Sequence, residues 1–336
     1  MTERAVRFAR RHATGLTVTI TALVLAGVPL VLRNPYKLGF LNLIAVHAIV
    51  VLGLNLFIGY AGQISLGHAA FFGIGAYGSG VLALIGVPPW IALPLTAIAV
   101  ALAALLIGVP TLRLSGHYLA MATLGFNIVV HHVFVQWDAV IGGPSGLSGI
   151  PSFAVPGFVF QGEQRQFYLL WGAVVIGLTL ALNLVRSGVG RGLAALAEDE
   201  VAAAALGINV RRGKIAVFAI SAIFASVAGS LFAHYMGTIT PDTFGIFASI
   251  DFVIMVIIGG LGSLWGSLAG AAFVTLLPNV LGDLDAWRDI IHGLIVVIVL
   301  TFLPRGLLPG VVRAMATAIG KQRRAPRTES MPAVRG

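Results

Sequence analysis

The sequence predicts an all-α, polytopic integral membrane protein of about ten transmembrane helices, with both termini cytoplasmic. Three observations predict it. Of 336 residues, 58% are hydrophobic and 10% charged, with a mean hydropathy of +0.98. A soluble globular protein carries about 25% charged residues because its surface must face water. The apolar residues also fall in runs near the ~20 that a helix needs to cross a bilayer, without the alternation of barrel strands. Finally, the basic residues are unevenly distributed between the loops.

The runs place spans at about 15–32, 39–59, 68–86, 89–112, 117–136, 167–185, 215–237, 250–264, 266–282 and 290–304. Residues 1–14 form a basic tail with Arg4, Arg7, Arg10 and Arg11. The first apolar run is longer than a signal core and lacks a small-x-small cleavage site, so it reads as an uncleaved helix. The transmembrane body runs over 15–306, and 307–336 is a second basic tail. Two loops are long. The one at 137–166 carries Gly142-Gly143-Pro144-Ser145-Gly146, then Pro151 and Pro156, the composition of an ordered, turn-rich surface loop. In the one at 186–214, Leu193, Leu196, Ala197, Val201 and Ala204 recur at helical spacing. Glu198, Asp199 and Glu200 follow its first turns, and Gly207 is a stop signal. One short helix at about 191–206 is expected, with Leu193, Leu196 and Val201 forming an apolar stripe.

An even number of spans with an inside N-terminus leaves only Arg33, Lys37, Arg165 and Arg288 outside; the other 17 of the 21 basic residues lie inside. That is the positive-inside pattern, so the net charge of +9 reflects membrane orientation and not nucleic-acid binding. Cysteine is absent, which leaves no thiolate metal site. The histidines show no i, i+4 pair beside a carboxylate, so no metal site is read. No Asp or Glu falls in mid-span, Asp251 lying near an outer end. A carrier driven by protons usually depends on such buried groups, so transport would need another energy source or be passive.

Two nucleotide motifs fail on context. Gly73-Ile-Gly75-Ala-Tyr-Gly78 lies inside a span with no strand before it, and Gly207 to Lys214 has one residue too many for a phosphate loop, with Ile215 where Ser or Thr belongs. Gly262, Gly266 and Gly270 repeat every four residues, as expected of closely packed helices. The stretch Gly59-Tyr-Ala-Gly-Gln-Ile-Ser-Leu-Gly-His68 is polar and glycine-rich between long apolar runs. Such backbone survives at membrane depth only where it is buried in protein or lines a wet cavity, and transporters build sites from interrupted helices. Gln63, Ser65, His68 and Asn127 are therefore candidates for a substrate pathway, with a plain tight turn as the bland alternative.

Five ordered blocks, Gly59–Tyr77, Leu112–Gly125, Gly142–Pro151, Glu198–Val210 and Ile258–Gly266, resemble the permeases of branched-chain amino-acid ABC importers, in particular the longer of the two permease types. The resemblance covers about 40–310. It implies a bacterial inner-membrane protein that works beside a second homologous permease, two cytoplasmic ATP-binding subunits and a periplasmic substrate-binding protein. ATP and Mg would be used only in the partner subunits, with no cofactor and no enzymatic activity in this chain. It implies that the 186–214 loop, with Leu193, Leu196, Glu198, Asp199, Glu200, Val201 and Gly207, is the ATPase coupling loop, and that the substrate is leucine, isoleucine or valine. Similar permeases carry other amino acids, amides or urea. The competing readings are a stand-alone carrier or channel, and a membrane scaffold with no translocation role.

Overall fold

The computed structural model describes residues 17, 19–29, 32, 34–280, 293, 294 and 297. Twelve α-helices follow in chain order: α1 (Thr19–Pro29), α2 (Pro35–Ile58), α3 (His68–Leu84), α4 (Pro89–Thr111), α5 (His117–Gln136), α6 (Asp138–Ile141), α7 (Glu163–Arg186), α8 (Gly188–Glu198), α9 (Glu200–Ala205), α10 (Val210–Met236), α11 (Ile246–Gly259) and α12 (Leu264–Val280). Five of them, α2, α4, α5, α7 and α10, are long and apolar enough to cross a membrane. Nine of the ten expected spans overlap a described helix; the tenth, at 290–304, lies outside the described residues except at 293, 294 and 297, and both tails lie outside them. The chain is a multi-pass membrane protein.

Local chemistry sets the helix ends. Asn34 caps α2 by accepting from the Tyr36 N–H, with Pro35 at the first position, where a missing N–H costs nothing. Ser187 and Asn209 cap α8 and α10 in the same way. Inside α4, Pro94 and Pro110 interrupt the hydrogen-bond ladder, while Thr96 and Thr111 donate to carbonyls of the turn before them.

The core lies where α2, α3 and α10 meet, with α11 and α12 closing it. Its tightest crossing is between α3 and α10. A Cβ added at Gly229 would overlap the Phe72 carbonyl, so only glycine lets the two backbones approach this closely. Around it Phe72, Phe232, Phe244 and Phe252 pack edge-on or tilted, with ring centroids 5.3–6.2 Å apart.

The two ends of the bundle are built differently. At one end lie the α2–α3 turn and the α8–α9 pair. At the other, the long 137–162 connection is ordered by a one-turn 3-10 helix at Gly143–Ser145 and by four two-residue strands. β1 (Leu147–Ser148) pairs antiparallel with β4 (Thr238–Ile239), and β2 (Ala154–Val155) with β3 (Phe158–Val159). His234 on α10 adds a hydrogen bond from its ring to the Pro151 carbonyl at 2.7 Å. These strands are small additions to an otherwise helical fold.

Candidate functional site

At the α8–α9 end the α2–α3 turn, the α8–α9 pair and the start of α10 meet. α2 stops at Gly59, and the turn that follows is tied back to it: the Gly62 N–H donates to Ile58, and the Gln63 N–H to Phe57. Gly62 adopts φ +66°, a left-handed conformation that favours glycine. It lies so close to Ala197 that an added Cβ would sit 3.2 Å from the Ala197 Cα.

The 186–214 loop corrects the sequence reading. The single helix expected at about 191–206 is two helices, because Asp199 leaves helical geometry (φ −157°, ψ 115°) to cap α9. Its carboxylate accepts from the Val201 and Ala202 N–H groups at 2.8 and 3.0 Å. The break also splits the expected stripe. Leu193 and Leu196 are buried at 3% and 2% exposure within the protein, whereas Val201 and Leu206 are 80% and 79% exposed. Leu196 lies beside Gly213 of α10, so it seats α8 on its own chain and offers no docking surface. Gly207, at φ +83°, ends the segment as expected.

Glu198 and Asp199 are exposed, whereas Glu200 is half-buried. One of its carboxylate oxygens meets Lys214 Nζ at 2.5 Å and accepts from Gln63 Nε2 at 3.1 Å. Lys214 is 4% exposed and Gln63 6%. The sequence reading counted Lys214 only as a loop charge. Because α10 begins at Val210, the lysine lies inside a helix, with its charge buried against the bundle.

Two residues beyond Gln63 a second polar chain begins. Ser65 Oγ lies 3.1 Å from His68 Nδ1, and His68 Nε2 lies 3.0 Å from Ser221 Oγ, which donates to the Phe218 carbonyl. Ser221 has one proton, used on that carbonyl, so Nε2 carries the imidazole proton and Nδ1 accepts from Ser65. Phe57, Phe71 and Phe218 surround the ring. Ser65 and His68 are 0% and 1% exposed; their bonds hold α3 to α10 and leave no surface for a substrate.

Asn127 stands apart. It is fully buried on α5, and among the described residues neither amide atom has a hydrogen-bond partner. One turn earlier, Thr123 Oγ1 accepts from the Leu66 N–H and so joins α5 to the turn. The structure thus brings Gln63, Ser65 and His68 to one end of the bundle and leaves Asn127 on a neighbouring helix.

Gly262 also needs correction. It is not on a helical face with Gly266 and Gly270 but in the turn between α11 and α12, at φ +72°. Gly266 and Gly270 do lie on α12, where added side chains would overlap the backbones of Gly259 and Met255 on α11. The organiser of this turn is Asn55, which was not among the candidates named from the sequence. Asn55 donates to the Gly260 and Ser263 carbonyls and to Ser267 Oγ, and its Oδ1 accepts from the Gly262 N–H. Its apolar surroundings gave no sign of a clasp between segments about 205 residues apart.

Residues 36–300 match the family described as branched-chain amino acid transport system / permease component. The chain is 32% identical to the high-affinity branched-chain amino acid transport system permease protein LivM of Escherichia coli over 316 residues, 87% of this chain and 74% of that protein. It is 28% identical to the corresponding protein BraD of Pseudomonas aeruginosa, over 78% of this chain and 91% of that one. The fructose import permease FrcC of Rhizobium meliloti is 31% identical over 38% of this chain and 39% of its own length. No solved structure matches. Because the family match runs from α2 through α12 and beyond, the chain belongs to the branched-chain amino-acid transport system permease family.

Proposed function

We propose that this chain is one of two homologous permease subunits of an ATP-driven importer that carries leucine, isoleucine and valine across the bacterial inner membrane. The observation that carries this reading is the contrast in similarity. LivM and BraD align over 87% and 78% of the chain, whereas the sugar permease aligns over 38%. In this reading ATP and Mg act in two cytoplasmic subunits, and a periplasmic protein delivers the amino acid at the 137–162 connection. The translocation path lies on the face turned toward the second permease, with the α2–α3 turn at its inner end. Gln63, Ser65, His68 and Asn127 then shape the path from behind rather than touch the substrate.

The α8–α9 pair supports the coupling role with a changed contact surface. Val201 and Leu206 are exposed apolar residues on this segment, and Glu198, Asp199, Arg211 and Arg212, near them in the chain, are exposed too. An apolar centre with a charged rim is the make-up of a protein interface. The docking residues are therefore Val201 and Leu206, in place of Leu193 and Leu196.

The test is co-expression with the candidate partners. A tagged chain extracted in mild detergent is expected to retain the second permease and the ATPases. The assembled complex in proteoliposomes should take up leucine only with ATP and binding protein, and the lone chain should take up none. Uptake by the lone chain would replace this reading with a stand-alone carrier. A Ser145→Cys variant, unambiguous because the chain has no native cysteine, should label from outside the cell. Labelling only from the cytoplasmic side would overturn the orientation.

A further inference from the structure

We infer that the Glu200–Lys214 ion pair, held by Gln63, is the joint through which movement of the α8–α9 pair reaches the membrane helices. The inference rests on the coupling reading of α8–α9 and names the residues that transmit it.

The α8–α9 pair makes two kinds of contact with the bundle. One is apolar: Leu193 and Leu196 press against α10 near Gly213. Contacts of this kind are non-directional and tolerate sliding. The other is the polar cluster at Glu200. Its carboxylate receives a buried ammonium from α10 and an amide from the α2–α3 turn on the same oxygen. Charge-assisted hydrogen bonds are short and directional, so this contact specifies where α9 sits. Lys214 is 4% exposed, whereas the side chain of its partner Glu200 is 39% exposed, and a buried charge needs its counter-charge. If α9 is displaced, Lys214 must follow Glu200 or lose its partner.

Gln63 connects the cluster to two helices at once. Its backbone N–H is bonded to the Phe57 carbonyl at the end of α2, and its side chain also reaches the Ala61 carbonyl at 3.2 Å. The turn is thus a stiff extension of α2. Within the last turn of α2, Asn55 holds the Gly260–Ser267 segment between α11 and α12. On its other side Ser65 leads through His68 to Ser221 of α10. Glu200 therefore lies at the root of hydrogen-bonded connections to α2, α3, α10 and α11–α12. The contact between His131 and Asp242, at 3.8 Å, belongs to the opposite end.

Gln63 and Lys214 are positioning residues in this scheme, and the readout must separate coupling from folding. We would reconstitute the complete complex in proteoliposomes and measure leucine transported per ATP hydrolysed. Gln63→Met keeps the side-chain volume but removes the amide. It should leave ATPase subunits bound while transport per ATP falls roughly fivefold or more, the lower end of ordinary coupling between sites. Glu200→Gln should act in the same direction, and combining it with Gln63→Met should add little, since both break one joint. The exchanged pair Glu200→Lys with Lys214→Glu should recover part of what Glu200→Lys alone loses. An unchanged ratio in both Gln63→Met and Glu200→Gln, with ATPases still bound, overturns the joint while sparing the coupling reading. Wild-type chain that retains no ATPase overturns the coupling reading itself.

Discussion

α2 and α4 are of nearly equal length, 24 and 23 residues, and both are apolar enough to span a membrane. Yet 83% of the most apolar stretch of α2 is buried inside the protein, against 33% for α4. Hydrophobicity does not make this distinction, because lipid tails are as apolar as leucine side chains. What differs is the polar content and the glycines set at close contacts, since α4 is the richer of the two in alanine. α2 carries Gly39, Asn42, His47, Gly53 and Asn55, each set against another segment of the chain. α4 turns Leu95, Ile98, Leu102 and Leu106 outward. In a membrane protein, centrality is encoded by close approach and hydrogen bonding, and aliphatic residues mark the periphery.

The largest effect that could break this comparison is at the glycine crossing. Gly229→Leu should abolish the folded protein, since its side chain would have to displace the Phe72 backbone. The measurement is the yield of monodisperse protein in detergent. Normal yield would mean that the α3–α10 contact is not constrained as described. Next is Asn55→Leu, which makes α2 more apolar and yet removes four hydrogen bonds to the α11–α12 turn. At about 0.6 kcal/mol per bond in a membrane protein, the expected loss is about 2 kcal/mol, read as a lowered unfolding midpoint. A more stable variant would restore hydrophobicity as the organising rule.

The comparison sharpens outside the bilayer, where ordinary helix capping applies. Asp199→Ala removes the cap of α9 and should cost about 1 kcal/mol of local stability. Hydrogen exchange at Val201 and Ala202 should quicken while the α2 amides stay protected. The smallest effect is expected on α4. Leu102→Ala, at a residue 62% exposed to the surroundings, should change stability by less than about 0.5 kcal/mol. A loss as large as that of Asn55→Leu would mean that this face is covered by protein.

Much of the fold was legible in the sequence because span length is a local property. The runs at 89–112 and 117–136 match α4 and α5 to within a residue. The Gly207 stop was also local: one φ value decides it. The missing pieces depended on distant partners. Asp199 reads equally well as a helical acid or as a cap, and only its φ of −157° separates the two. Leu196 and Val201 look alike on a helical wheel, yet the break between them sends one inward and the other outward. Lys214 looked like one more inside charge until α10 was seen to begin four residues earlier. Gln63 was singled out correctly as unusual, but its partner Glu200 is 137 residues away, beyond any local pattern.

The stitched connection at the far end has a consequence for the speed and strength of encounters. Its backbone is tied to the end of α10 by the β1–β4 pair and by the His234–Pro151 bond. Fixing a free loop costs about 1–2 kcal/mol per residue in conformational entropy, and here that cost is met when the chain folds rather than when a partner lands. In the importer proposed above, a visiting protein would find a surface whose shape does not wait for it. Its arrival is then governed by diffusion and charge, and differences among visitors should show chiefly in how long each one stays.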